Sequence, residues 1–169
     1  YPLLAIIAAD YSLSSADVGL LTGSYFFTYL LLQVPAGILG DRLGMRRVLL
    51  WTYAVAAVGA IGLGLVIGNY PAMIFCMALH GLGAGGFYPA SFGMMMQKVL
   101  PHKRAFSSSL IGIGMALGLL AGMTASGSLY EIYRDIRVPI LLLALPSILM
   151  FCLFYRYLPD TVAAPSAKW

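Results

Sequence analysis

Charge is what this chain has least of. Only 9% of its 169 residues are charged, against 61% that are hydrophobic, and the mean hydropathy is +0.90. So little polar surface cannot cover a water-soluble globule of this length, which excludes a soluble domain. The scarcity extends to reactive groups. No nucleophile–base–acid set, phosphate loop or paired carboxylate falls inside the apolar stretches, so enzyme chemistry has no candidate machinery. No metal constellation or cofactor pattern occurs either, since the consecutive Met94, Met95 and Met96 cover several faces of a helix and suit packing and lipid contact. Of the two cysteines, Cys76 falls near one end of its apolar run and Cys152 near the opposite membrane side. A depth difference of roughly 13 Å exceeds disulfide reach, so free thiols are expected. The formal charge of +4 does not indicate nucleic acid, because the basic residues form short clusters between apolar runs.

What the chain has is length of apolar sequence. Runs over 18–39, 48–67, 72–96, 106–129 and 138–157 are each about 20 to 25 residues, or about 30 Å or more of helix. The predicted fold class is an all-α membrane protein, a bundle of five complete transmembrane helices within residues 1–162. Residues 1–8 have no basic leader and are too short to span, so they read as the stub of a preceding helix. Residues 163–169 read as the start of a cytoplasmic linker. The breaks carry helix-start chemistry: Ser14-Ser15-Ala16-Asp17, Asn69-Tyr70-Pro71 and Pro101-His102-Lys103-Arg104.

Basic residues set the expected orientation. Arg42, Arg46, Arg47, Lys98, Lys103, Arg104, Arg156 and Lys168 fall on one side, and only Arg134 and Arg137 on the other. The richer side is predicted to be cytoplasmic, with the visible N-terminus outside and the C-terminus inside an inner membrane. Tyr70, Tyr130 and Tyr133 on one side, and Trp51, Tyr155 and Tyr157 on the other, supply interfacial anchors.

The most informative segment is the turn Gly37-Ile38-Leu39-Gly40-Asp41-Arg42-Leu43-Gly44-Met45-Arg46-Arg47. Asp41 is placed to cap free amides or pair with Arg46 or Arg47, while Gly37 and Gly40 admit a close neighbour. Orientation by positive charge alone is the simpler alternative. The turn resembles the G-x-L-x-D-R-x-G-R-R signature loop of the major facilitator superfamily at Gly37, Leu39, Asp41, Arg42, Gly44 and Arg46, with Met45 in place of an arginine. Similar matches occur at Gly81-Leu82-Gly83-Ala84-Gly85-Gly86-Phe87-Tyr88-Pro89-Ala90, at Pro101 to Ala105 and at Leu158-Pro159-Asp160-Thr161. The resemblance implies the N-terminal six-helix half of a transporter, lacking most of its first helix. It also implies a gating role for Gly37, Asp41, Arg42, Gly44, Arg46 and Arg47 against a second half. Met77 stands where many members carry an arginine, four residues before Gly81.

Two further patterns follow from spacing. Gly114, Gly118, Gly122 and Ser126 recur every four residues and predict helix packing. They resemble an antiporter motif, with Leu119 replacing its proline and Met123 its final glycine. Tyr25, Tyr29 and Gln33, at i, i+4 and i+8, share one helix face that should turn inward to a transport path. His80 lies about 13 Å into its span, near the midplane, as a candidate for substrate contact or proton handling. A neutral histidine bonded to a neighbouring helix is the packing alternative.

The resulting expectation is secondary active transport of a small polar solute by alternating access, with no cofactor. Its partners would be the lipid bilayer, a small-molecule substrate, a coupling proton or sodium ion, and the second half of the transporter. A non-transporting polytopic scaffold is the alternative, and a membrane-embedded enzyme a further one.

Overall fold

A computed structural model of the chain describes residues 2–160; the linker expected at 163–169 lies outside them. The described chain is helical: α1 (Pro2–Asp10), α2 (Ser15–Leu43), α3 (Met45–Leu65), α4 (Tyr70–Gly85), α5 (Phe87–Lys98), α6 (Arg104–Tyr133) and α7 (Arg137–Tyr157), with a short 3₁₀ turn at Pro101–Lys103. Five segments are long and apolar enough to cross a membrane, α4 and α5 together making one of them. The fold class is the all-helical membrane bundle that the hydropathy pattern implies.

Local chemistry sets the helix ends. Ser14 caps α2 in a reciprocal capping box with Asp17, its side chain accepting from the Asp17 N–H while the Asp17 carboxylate accepts from the Ser14 N–H at 2.9 Å. At the other end Gly44 closes α2 and opens α3 with φ 95°, a conformation costly to a residue with a Cβ, so two long helices reverse through a single residue. The 72–96 run, expected as one continuous span, breaks at Gly86. Pro89 has no N–H to give to the Gly85 carbonyl, and the Gly86 N–H turns back to Gly83 O at 3.3 Å, tightening the last turn of α4.

The core of the bundle is α4 pressed between α2 and α3. A Cβ on Gly81 would collide with the Tyr25 carbonyl of α2, and one on Gly85 with the Tyr29 carbonyl; one on Gly83 would strike the Ala56 backbone of α3. The approach is mutual, since Gly59 of α3 lies against the backbone of His80. Lipid provides no hydrophobic drive to join helices, so close packing and hydrogen bonds at such contacts hold them. One of these bonds is the Thr28 hydroxyl donating to the Ala78 carbonyl at 2.7 Å, from α2 to α4.

Apolar clusters lie at the two ends of this contact. Ile7, Leu21, Ile67, Met73, Ile136 and Ile140 bury together at one end, and Ala36, Val48, Leu49 and Ala90 at the other. Near the second cluster, the Tyr53 ring meets Phe87 at 6.0 Å and Phe154 at 5.2 Å, both edge-on, joining α3, α5 and α7. Helix α6 is peripheral, with Ser126 its one buried residue.

A methyl group at the α4 contact has no room, and a methyl on the open side of α6 does. Gly83→Ala is therefore expected to destabilise the full-length protein in detergent by about 1–3 kcal/mol, while Gly112→Ala, which meets nothing within 4 Å, leaves its unfolding midpoint unchanged or slightly raised. Thermal unfolding of the two variants side by side checks the contrast.

Candidate functional site

The α2–α4 contact carries the polar groups predicted for the path. Tyr25 and Tyr29, one turn apart, stack with ring centroids 6.0 Å apart, and Tyr25 lies 5.5 Å from the His80 ring across the helix boundary. All three are partly buried, as is Gln33 one turn further along α2. The structure thus brings Tyr25, Tyr29 and His80 into one aromatic–imidazole row, with Gln33 continuing the same face.

His80 also touches α3, its Nδ1 lying 2.8 Å from the Ala56 carbonyl. A carbonyl can only accept, so this bond places the ring proton on Nδ1 and leaves Nε2 as the acceptor of the neutral ring. The packing role and a solute-facing role therefore use different nitrogens. Thr28 is the polar residue that spacing did not single out; lying beside Tyr29 on the neighbouring face, it fastens α2 to α4. The signal for it was present in the glycines at 81, 83 and 85, which mark where two backbones meet.

At the signature turn the geometry differs from the simple latch. Helix α2 continues to Leu43, so Asp41 sits inside its last turn rather than beyond it, where its carboxylate caps no amide. Asp41 is exposed and makes no ion pair with Arg46 or Arg47. Arg46 instead reaches the end of α7: Nη1 donates to Asp160 Oδ1 at 3.0 Å, Nη2 donates to the Tyr155 carbonyl at 2.7 Å, and the guanidinium lies 5.9 Å from the Tyr155 ring centroid. Arg42 and Arg47 are exposed.

The turn's glycines have distinct tasks. Gly40 makes room for Met45, whose side chain is 5% exposed and also lies against Gly93 of α5, while Gly37 faces only Pro89 at ordinary contact distance. Met45, the departure from the family pattern, is thus an apolar plug between α2 and α5. An arginine there would bury a charge against two glycines.

Along the small-residue stripe of α6, Ser126 is buried, while a Cβ at Gly114, Gly118 or Gly122 meets nothing within 4 Å; Gly118 and Gly122 border a cavity shared with Leu3 and Leu4 of α1 and Leu143 and Pro146 of α7. Close glycine packing occurs on α4 instead. Cys76 is buried and Cys152 exposed, both as free thiols.

Comparison with known proteins agrees with the arrangement of helices and turn. The family model described as Major Facilitator Superfamily matches residues 1–169. Curated relatives include the voltage-gated purine nucleotide uniporter of Homo sapiens, 31% identical over 131 residues that make up 75% of this chain and 30% of that protein. The chloroplastic ascorbate transporter of Arabidopsis thaliana is 33% identical over 126 residues, 71% of this chain and 22% of its own length. The vesicular glutamate transporter 2.1 of Danio rerio is 30% identical over 139 residues, 74% of this chain and 23% of its own. The chain thus spans less than a third of the length of these relatives. With the signature turn, the glycine-lined α4 and the whole chain matched, this protein belongs to the Major Facilitator Superfamily.

Proposed function

We propose that this chain forms one wall of a secondary transporter for a small organic anion, which a second bundle completes and which works by alternating access. The observation that carries the reading is the row of Tyr25, Tyr29 and His80, backed by a helix contact in which Gly81 and Gly85 lie against the Tyr25 and Tyr29 carbonyls. Hydroxyl groups and an imidazole acceptor on a rigid helix pair suit the oxygen-rich groups of a polar solute. The named cargoes of the relatives, a purine nucleotide, ascorbate and glutamate, share anionic character. Met77 supplies no positive charge to this wall, so the countercharge for an anion belongs to another part of the full-length protein.

In this reading the richly basic side is cytoplasmic, as the distribution of lysine and arginine favours. Asp41, exposed and without an ion pair to Arg46 or Arg47, is placed to meet the second bundle, while Arg46 braces the turn from behind through α7. The gate is then a turn held firmly on one face and open on the other.

Orientation is checked by labelling single cysteines with an impermeant thiol reagent in intact cells. His102→Cys should be protected and Asn69→Cys labelled, both sites being exposed; the opposite pattern inverts the topology.

The path residues are tested in liposomes with the full-length transporter. Tyr29→Phe keeps the ring and removes the hydroxyl, so substrate affinity should fall about fivefold, the equivalent of ~1 kcal/mol, with folding intact. His80→Gln removes the titrating group, so any pH dependence of transport that this side chain produces should flatten. Unchanged affinity in the first variant and an unchanged pH profile in the second assign both side chains to packing.

A further inference from the structure

Arg47 and Trp51 stand one turn apart at the start of α3, both exposed, on a ridge with an apolar groove on each side. The first groove, a cavity of about 500 Å³, runs between α2, α3 and α4 past Leu32, Ala36, Leu39, Leu43 and Leu82. The second, about 530 Å³, runs between α3, α4 and α7 past Val58, Leu79, Phe151 and Tyr155. Arg47, Trp51 and Val55 border both.

The dimensions match one leaflet. From Arg47 to Val58 the helix rises about 16 Å, half of the roughly 30 Å hydrocarbon core of a bilayer. Arg47 then lies at head-group level, Trp51 just inside it, and the grooves end near the midplane. Arg47 has no hydrogen bond or ion pair among the described residues, whereas its neighbour Arg46 is engaged with Asp160 and Tyr155. The other charged groups of the turn are Asp41 and Arg42, both exposed, so the local balance is positive.

We propose that this ridge is a binding site for a two-chain anionic phospholipid of the leaflet on the side of the α2–α3 turn. Its phosphate contacts Arg47, and one acyl chain lies in each groove on either side of Trp51. A guanidinium offers paired donors to phosphate oxygens, and the indole N–H sits where ester carbonyls lie. Two grooves sharing one cationic head fit a lipid with two tails and one anionic head; they do not fit a soluble anion, which would leave both grooves empty. The inference requires that the chain crosses a bilayer and does not depend on what is transported.

The test uses the full-length protein with Trp51 as its only tryptophan, the others replaced by phenylalanine, in vesicles containing either phosphatidylglycerol or phosphatidylcholine brominated on the acyl chains. Bromine quenches tryptophan only at contact, so the readout is occupancy of the grooves. Brominated phosphatidylglycerol, diluted in unlabelled phosphatidylcholine, should quench Trp51 as though enriched about fivefold over its bulk fraction. Arg47→Gln should abolish the enrichment, Arg47→Lys should retain most of it, and Lys98→Gln, a cation away from the ridge, should leave it unchanged. Equal quenching by the two lipids, or enrichment that survives in Arg47→Gln, reduces the ridge to ordinary bilayer contact and overturns the proposal. So does an absence of quenching by either lipid, which would mean that protein covers the grooves. Should Arg47→Gln fail to fold, the wild-type comparison of lipids together with Arg47→Lys and Lys98→Gln still decides. Because occupancy is read by fluorescence, a failed transport assay does not bear on it.

Discussion

Everything in this bundle depends on how closely α4 approaches its neighbours. Glycines at 81 and 85 bring it against the carbonyls of Tyr25 and Tyr29 on α2, while Gly83 against Ala56, and Gly59 against His80, bring it against α3. Helices in lipid gain nothing from hiding apolar side chains, because the surroundings are equally apolar. What holds them is dispersion over a close interface, together with polar bonds that water does not contest. The Thr28 and His80 bonds to backbone carbonyls are of this kind, and both lie at this interface. A larger residue at any of the three α4 positions would separate the helices and lengthen those bonds together.

The same contact sets the polar row beside it. Because Gly81 and Gly85 meet the carbonyls of Tyr25 and Tyr29 rather than their side chains, the two rings stack beside the interface, with Tyr25 next to His80. Rigidity and polarity are therefore coupled. The helices that pack most closely on one another carry the Tyr25, Tyr29 and His80 rings, so those groups are held with little freedom. The break at Gly86 ends this stiff section, and beyond it α5 packs through side chains, with Met45 as its plug.

Much of this was legible in the sequence, for physical reasons. A run of about 20 apolar residues has few alternatives to a membrane helix, so the crossings could be read directly. The pairing of Tyr25 with Tyr29 follows from the helical repeat. Less legible was which small residues make contacts: the spacing of Gly114, Gly118 and Gly122 is as regular as that of Gly81 and Gly85, yet only the latter meet another helix among the described residues. Spacing reveals a smooth face but does not name its partner. Asp41 shows the same limit. Its charge next to arginines suggested a pair within the turn, but the position of the α2 terminus decides, and α2 runs two residues past it to Leu43. The 72–96 run hid its break because mean hydropathy does not register a missing amide at Pro89.

Helix α6 extends the reasoning about surfaces. Of its residues only Ser126 is buried; Gly118 and Gly122, on the same stripe, border a cavity of about 600 Å³ whose other walls include Leu3 and Leu4 of α1 and Leu143 and Pro146 of α7. Leucine suits a lipid-facing surface, whereas a line of glycines gains little there and gives up the helix stability that alanine would supply. Such a line becomes favourable when another backbone approaches along it, as α2 and α3 approach α4. The ridge at Arg47 has the opposite composition: a cation, an indole and grooves walled by leucine, valine and phenylalanine. Small residues beside the α1–α7 cavity and an amphipathic ridge on α3 make opposite demands on what packs against them. The first leaves room for a close backbone, of the kind that meets Gly81 and Gly83, and the second presents a cation above apolar walls.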